Sequence, residues 1–143
     1  MEIHQSAVIL LLVVCVSFST HAVPDGYKHF LKQHVFGAMT VQKCDSEIHT
    51  RGIVQSDTTN GCKDINTFIL ANKKDVNAVC GKAGTQRGNN RVSNNPFPVV
   101  ICKLHSGNTH PHCEYRGTRS TRQIVVRCED GWPVHYAEDI ING

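Results

Sequence analysis

The sequence predicts a small α+β domain that is stabilised by disulfide bonds. Helical patterns lie in the first half of the chain, whereas β-branched and aromatic residues are concentrated in the second half. Helices followed by runs of antiparallel strands are typical of α+β proteins. The third observation is the cysteine content, seven in a chain of 143 residues. A chain this small buries a limited core, so covalent cross-links would add substantially to its stability.

The first segment of the chain has the pattern of a signal peptide. Residues 7–16, AVILLLVVCV, are uniformly apolar but too few to span a bilayer comfortably. The small residues of THA at 20–22 offer a cleavage site after Ala22. The first five residues contain no Lys or Arg, so a retained anchor is the alternative. We therefore predict a signal peptide over 1–22 and one secreted domain over 23–143.

Six of the cysteines lie after the predicted signal peptide. An even number in a small secreted chain indicates three disulfides, although six cysteines permit many alternative pairings. The six are Cys44, Cys62, Cys80, Cys102, Cys113 and Cys128.

Three short helices are predicted in the first half of the domain. The segment DGYKHFLKQHVFGAM, 25–39, spaces its apolar residues as one face of a helix, with Asp25 as the N-cap and Gly37 as the stop. A second helix is expected over DVNAVCGK, 75–82, and a weaker pattern lies around 43–50. These helices would precede most of the sheet.

The second half predicts antiparallel strands. FPVVICKL, 97–104, and RQIVVRCEDGWPVHYA, 122–137, are rich in β-branched and aromatic residues. Within the latter, Asp130-Gly131 is a hairpin-type turn. Residues 105–112 are expected to turn between two strands, and 81–95 to form a polar, glycine-rich, basic loop.

Two histidines and a lysine are the candidate catalytic residues. His34 lies in the first predicted helix, Lys63 follows Cys62, and His135 lies in the last strand. One neutral imidazole can remove a proton from a hydroxyl, a protonated one can give a proton to a leaving oxygen, and a fixed cation can stabilise the charge that develops on phosphate oxygens. Spacing alone does not show that the three meet, and a lone histidine is more often solvated or hydrogen-bonded.

Three segments carry a family resemblance. FLKQHV at 30–35, CKDINTFI at 62–69 and VHY at 134–136 resemble the signature segments of the pancreatic-type ribonuclease superfamily, in family order. The six cysteines also fall at family positions, and the angiogenin branch, with six cysteines, is the most similar. The resemblance implies a V-shaped, ribonuclease A-like fold of short helices and a curved antiparallel sheet. It further implies the pairs Cys44–Cys102, Cys62–Cys113 and Cys80–Cys128.

The same resemblance implies a role for each candidate residue. His34 would be the general base, His135 the general acid and Lys63 the cation that stabilises the transition state of a metal-independent cleavage after pyrimidines. No cofactor is implied. The resemblance assigns five residues to substrate binding. Gln33 would position the phosphate, Thr67 would read the pyrimidine edge, Phe68 and Tyr136 would border the cleft, and Glu138 would lie where angiogenins obstruct the pyrimidine pocket. For Phe68, core packing is the equal alternative.

Two departures from the family pattern predict weak activity. Ala137 replaces the aspartate that usually supports the C-terminal histidine, and Glu138 or Asp139 is the candidate substitute. Glu138 also brings a carboxylate to the pyrimidine pocket, where it would block or repel the substrate. We therefore expect measurable but low ribonuclease activity.

The net charge of +3 suits a polyanionic partner such as single-stranded or tRNA-like RNA. A cell-surface receptor, an anionic membrane and a ribonuclease inhibitor are further candidate partners of an expected monomer. Angiogenic signalling and antimicrobial action are therefore the alternative functions. Nuclear entry is doubtful because the angiogenin arginine run is reduced here to Arg51. Nine basic residues are candidates for extended RNA contacts or for a solubilising surface: Lys73, Lys74, Lys82, Arg87, Arg91, Arg116, Arg119, Arg122 and Arg127.

One metal alternative remains in the sequence. Its five members, which have the residue types of a loose zinc site, are Cys102, His105, His110, His112 and Cys113. We predict no metal, because the cysteines are expected to form disulfides and the histidines to lie in an exposed turn.

Overall fold

The computed structural model describes residues 22–138. The predicted signal peptide lies outside the described residues except for Ala22, and both the peptide and the 23–143 domain limits stay predictions. Three α-helices and two 3₁₀ turns occupy the first half of this region. They are α1 (Asp25–His34), the turn Val41–Lys43, α2 (Cys44–Thr50), α3 (Lys73–Asn77) and the turn Ala78–Cys80.

Seven strands form two antiparallel sheets, so the α+β class is confirmed. The strands are β1 (Ile65–Ile69), β2 (Gly84–Arg87), β3 (Asn90–Ser93), β4 (Phe97–Ser106), β5 (Glu114–Arg122), β6 (Val125–Glu129) and β7 (Trp132–Tyr136). One sheet has the order β1-β4-β5 and the other the order β2-β3-β6-β7. The predicted turn between β6 and β7 is present, with positive φ at Asp130 and Gly131, as a two-residue hairpin of the primed type requires.

Helix α1 packs its apolar face against β7 and β1, the strands that carry His135 and Thr67. Tyr27, Phe30 and His34 are its buried residues, and their spacing of three and four places them on one face. The helix therefore brings His34 into contact with both sheets.

Both predicted ends of α1 were wrong. The N-cap is Pro24, without a side-chain cap, and Asp25 is already helical. The helix ends at His34 rather than at Gly37, because Val35 is extended and forms a parallel bridge with Ile69 of β1. Pairing with the sheet therefore ends the helix before the glycine is reached.

The predicted loop 81–95 is largely a hairpin of β2 and β3. Its polar sequence lacks the alternation of apolar and polar residues that indicates a strand. Contacts of one arginine explain why the strands still form. The guanidinium of Arg91 donates to the carbonyl oxygens of Val79 at 2.8 Å, Gly81 at 2.7 Å and Gly84 at 2.6 Å. Arg91 is thus a structural residue, and its assignment as a candidate RNA contact is corrected.

Three disulfides connect the two halves of the chain, with the pairing that the resemblance implies. Cys44–Cys102 joins α2 to β4, Cys62–Cys113 joins the segments that precede β1 and β5, and Cys80–Cys128 joins a 3₁₀ turn to β6. Sequence separations of 48 to 58 residues correspond to about 4 kcal/mol each in the chain-entropy model. The second disulfide holds Lys63 through its neighbour Cys62. Within the described region, no helix has the length and apolar character needed to cross a bilayer.

Candidate active site

A cleft of about 570 Å³ lies between α1, the segment 52–58, Lys63 and β7. The three candidate catalytic residues line it together, although they are far apart in the sequence. The lining includes His29, Gln33, His34, Lys63, His135, Tyr136 and Glu138.

His34 is buried and has a defined orientation. Its Nδ1 lies 2.8 Å from the carbonyl oxygen of Thr67. Because a carbonyl can only accept, Nδ1 carries the proton and Nε2 keeps a lone pair in the neutral ring. The ring also stacks on Tyr136, with centroids 5.2 Å apart. Tertiary contacts therefore fix both the tautomer and the ring plane.

The environment of His34 favours the neutral form. Burial, followed by the positive charge of Lys63, lowers its pKa from 6.5 to about 3. Glu138 Oε1 lies 3.8 Å from Nδ1, but the shorter bond to the Thr67 carbonyl takes the proton and burial keeps the ring uncharged. His34 is accordingly a neutral base at pH 7, with its proton on Nδ1 and its Nε2 unprotonated.

Lys63 is held at the cleft by a residue that the sequence analysis did not identify. Its Nζ donates to Asn66 Oδ1 at 2.8 Å, and Asn66 Nδ2 donates to the carbonyl oxygen of Gln33 at 2.9 Å. Asn66 is completely buried. The sequence signal that could have identified Asn66 is its place in the NTF segment, because an amide in a buried strand needs polar partners. Asn66 of β1 thus links Lys63, which precedes that strand, to the helix that carries His34.

The backbone of Lys63 is fixed as well. The hydroxyl of Tyr115 donates to the Lys63 carbonyl oxygen at 2.7 Å. Burial raises the pKa of Tyr115 to about 12, so it remains a donor at neutral pH. Burial also lowers the pKa of the Lys63 ammonium, and the Glu138 carboxylate opposes this change. The lysine is consequently positioned at both its main chain and its side chain.

His135 differs from His34 in its exposure to solvent. It lies on β7 opposite Arg127 of β6, next to an irregularity in the strand register, and its side chain lines the cleft. The cleft therefore presents two histidines in contrasting environments.

Glu138 accepts from both the backbone N–H and the hydroxyl of Thr67. The backbone N–H of Thr67 donates to Glu138 Oε1 at 2.7 Å, and its hydroxyl donates to Oε2 at 2.6 Å. These are the two groups of Thr67 with which it could read the edge of a base. Burial raises the pKa of the Glu138 carboxyl, against the lowering effect of the two hydrogen bonds. Both groups are therefore occupied by a carboxylate of the chain itself.

The remaining predicted substrate residues have different surroundings. Gln33 and Tyr136 line the cleft, and burial raises the pKa of Tyr136 to about 12. Phe68 has no exposed surface and belongs to a core cluster, so its interpretation as a cleft neighbour is corrected in favour of core packing. Its side chain points to the face of β1 opposite that of Thr67, as alternation in a strand requires.

Ala137 is buried beside Val92 and Val125 and has no side-chain polar group to support an imidazole. Asp139, one of the two candidate substitutes, lies outside the described residues. Glu138, the other, has both oxygens engaged by Thr67. Position 137, where the family pattern has the supporting aspartate, is therefore filled by an alanine that packs in a small hydrophobic cluster.

The zinc alternative loses both cysteine ligands. Cys102 and Cys113 are in disulfide bonds. Across residues 22–138, no group of three or more His, Cys, Asp or Glu side chains is arranged to hold a metal ion.

Comparisons with known proteins agree with this fold. The family model for pancreatic ribonuclease matches residues 25–137. Ribonuclease-like 3 of Danio rerio is 47% identical, over 99% of both chains, and Angiogenin-4 of Mus musculus is 38% identical, over 94% of this chain and 92% of its own length.

Solved ribonuclease structures have the same fold. RNASE ZF-1A superimposes with a TM-score of 0.81 at 58% identity and covers 85% of this chain and 100% of its own. Zebrafish RNase5 does so with a TM-score of 0.79 at 53% identity, over 82% and 99%. The predicted ribonuclease A-like fold is confirmed by these matches. The chain belongs to the pancreatic ribonuclease family, with angiogenins among its relatives.

Proposed function

We propose that this protein is a secreted endoribonuclease that cleaves RNA after pyrimidines, with His34, Lys63 and His135 as its catalytic residues. Membership of the family supports ribonuclease activity in general. The observation that carries the specific proposal is the shared cleft, where a neutral buried imidazole, an anchored ammonium and an exposed imidazole face one space.

The geometry supports a two-step reaction. Nε2 of His34 removes the proton of a ribose 2′-hydroxyl, and the 2′-oxygen attacks the adjacent phosphorus. The P–O5′ bond breaks as His135 donates a proton to the leaving oxygen, which gives a 2′,3′-cyclic phosphate and a 5′-hydroxyl. Lys63 stabilises the negative charge that increases on the phosphate oxygens. When water hydrolyses the cyclic product, the two histidines exchange roles.

The closed base pocket supports low activity. A pyrimidine that binds Thr67 must displace Glu138 from two hydrogen bonds, each to a charged acceptor. Such bonds contribute about 1.5–3 kcal/mol each. Gln33 and Tyr136 line the same cleft, which supports the assignment of Gln33 to the phosphate and of Tyr136 to the cleft wall.

Cleavage of defined dinucleotides across a range of pH tests the proposal. The wild type should cleave pyrimidine-containing substrates slowly, and His34→Ala and His135→Ala should each reduce kcat by about 10²–10⁴-fold, the usual contribution of general acid–base catalysis. The rate should be the same with and without a chelator. Unchanged rates in both variants, or no cleavage by the wild type after prolonged incubation, would contradict the proposal.

An angiogenic signalling role is the second candidate, favoured by curated relatives named Angiogenin, such as that of Papio hamadryas at 43% identity. A cationic antimicrobial protein is the third, for which the net charge of +3 is moderate. The His135→Ala variant separates them. Membrane killing or a signal that depends on a receptor alone should persist in the variant, whereas an effect that requires RNA cleavage should disappear.

The cross-links support the proposed location. Three disulfides suit an oxidising compartment, which supports secretion. RNA is the substrate, and a ribonuclease inhibitor, a cell-surface receptor and an anionic membrane are further proposed partners of a monomer. A gel-filtration measurement and a pull-down with each partner would test these assignments.

A further inference from the structure

Arg51 follows α2 and binds the end of α1, the helix that carries His34. Its Nη1 donates to the carbonyl oxygen of Lys32 at 2.9 Å and to that of Val35 at 3.2 Å. The last four carbonyl groups of a helix have no partner within the helix. Arg51 therefore satisfies two acceptors that flank His34 in the sequence, and its charge lies at the negative end of the helix dipole.

The guanidinium is fixed by further contacts. Its Nε donates to Glu47 Oε2 at 3.1 Å, an ion pair in which each side chain is only 21% exposed. Its central carbon lies 4.7 Å from the ring centroid of Phe36 and 5.6 Å from that of Phe68. A planar cation that is paired and stacked in this way has little freedom to move. Arg51 is consequently a rigid support for the helix end.

A second support holds the same turn from another direction. Asn66 of β1 donates to the carbonyl oxygen of Gln33, the residue before His34. The ring of His34 is then directed by its own bond to the Thr67 carbonyl. The catalytic turn is thus attached to α2 through Arg51 and to β1 through Asn66.

We propose that Arg51 is a positioning residue for the ribonuclease reaction, holding the last turn of α1 so that His34 stays in reach of the ribose hydroxyl. The inference rests on the proposed function, because it requires His34 as the base. Arg51 is not among the residues that line the cleft, so it acts through the helix and not on the reacting atoms. A displacement of about 1 Å at such a base costs about 100-fold in rate.

The test compares Arg51→Ala and Arg51→Lys with the wild type on one pyrimidine dinucleotide. We expect kcat to fall by about 10-fold or more in Arg51→Ala with KM nearly unchanged, because the substrate contacts remain. Arg51→Lys should recover part of the loss, since one ammonium can reach a single carbonyl but lacks the fork of the guanidinium. Should Arg51→Ala not fold, Arg51→Lys alone still tests the proposal.

The pH profile supplies a readout that a general loss of stability would not change. A loosened turn admits water to His34, so the acidic limb of kcat/KM should move upward towards pH 6.5, the ordinary pKa of histidine. An NMR titration of the His34 ring should show the same rise. The charged or titratable groups that face this ring are His29, Lys63, His135, Tyr136 and Glu138. Because salt screens their charges, both measurements are compared at one ionic strength.

Arg91→Lys is the matched control. Arg91 also binds several carbonyl oxygens, but those of the β2–β3 hairpin and its preceding turn. It should lower the melting temperature and leave kcat and the acidic limb unchanged. If folded Arg51→Ala keeps both the kcat and the acidic limb of the wild type, the inference is wrong. If the wild type itself is inactive, the proposed function fails, and the NMR titration still decides whether Arg51 holds His34.

Discussion

The phosphate side and the base side of the cleft are built from neighbouring residues of β1 but are in different states. On the phosphate side, Asn66 holds Lys63, and the carbonyl of Thr67 directs His34. On the base side, the N–H and hydroxyl of that same Thr67 are occupied by Glu138. Under the proposed function, one half of the site is therefore ready for substrate, and the other half must first be opened.

This difference separates two causes of low activity, the rate of the reaction itself and the fraction of molecules with an open base pocket. The reaction itself depends on groups that are already positioned. The population of molecules with an open base pocket depends on the strength of the Glu138–Thr67 contact, and the apparent affinity falls by the fraction that is open. Substitutions on the two sides should accordingly change rates in opposite directions.

The largest effect is expected on the phosphate side, from Lys63→Ala. Removal of the anchored cation should lower kcat by about 10²–10³-fold, because a preorganised charge at the developing oxyanion is lost. Steady-state kinetics on a dinucleotide would measure the loss.

Lys103→Ala is the control for a general loss of positive charge. Lys103 is an exposed lysine of β4 that pairs with Ile65 of β1. Its removal should change kcat less than twofold. An equal loss in the two variants would mean that overall charge, rather than the position of Lys63, determines the rate.

A smaller change, of opposite sign, is expected on the base side. Glu138→Ala should raise kcat/KM for pyrimidine dinucleotides by about 10-fold, since it frees two groups held by hydrogen bonds to a charged acceptor. The gain should be confined to substrates with a pyrimidine at the cleaved position.

Glu114→Ala is the control for the removal of a negative charge. Glu114 is an exposed carboxylate that accepts from the Ser106 hydroxyl at 2.8 Å. Its loss should leave the pyrimidine preference unchanged. If Glu138→Ala accelerates purine and pyrimidine substrates equally, the closed pocket is not what limits the wild type.

The last prediction concerns stability rather than rate. Because the pKa of His34 is lowered to about 3 in the folded protein, the unfolded chain binds the extra proton between about pH 3 and 6.5. Stability should therefore rise with pH across this window. The contribution of His34 has a maximum slope of about 1.4 kcal/mol per pH unit.

Urea unfolding of the wild type and His34→Asn at several pH values would isolate this contribution. Asparagine can donate to the Thr67 carbonyl but does not titrate. The two stability curves should converge as the pH falls and separate as it rises. Parallel curves would contradict the burial of a neutral His34, since Glu138 and the other titrating groups are common to both proteins.

The two sides of the cleft were also predictable to different degrees. The candidate catalytic residues were proposed from three short segments whose residue types have few other uses together. Asn66, Tyr115 and Arg51 were not assigned their supporting roles, because an amide, a phenol and a guanidinium serve many purposes. The carbonyl groups to which they donate, those of Gln33, Lys63 and Lys32, also lie 19 to 52 positions away in the sequence. Phe68 was left open between two roles, and only its burial in the core decided between them.

The sequence by itself determined the α+β class and the cysteine framework and supplied the candidate catalytic residues, since these depend on composition, local periodicity and segments that can be read without coordinates. It misplaced the end of α1 and the hairpin of β2 and β3, because pairing of Val35 with β1 and the carbonyl contacts of Arg91 override local preference. Only the tertiary structure decided that Thr67 serves both sides of the cleft. That outcome depends on where residues 71 positions apart meet, and hydrogen bonds such as that between Thr67 and Glu138 form only when the whole chain has folded.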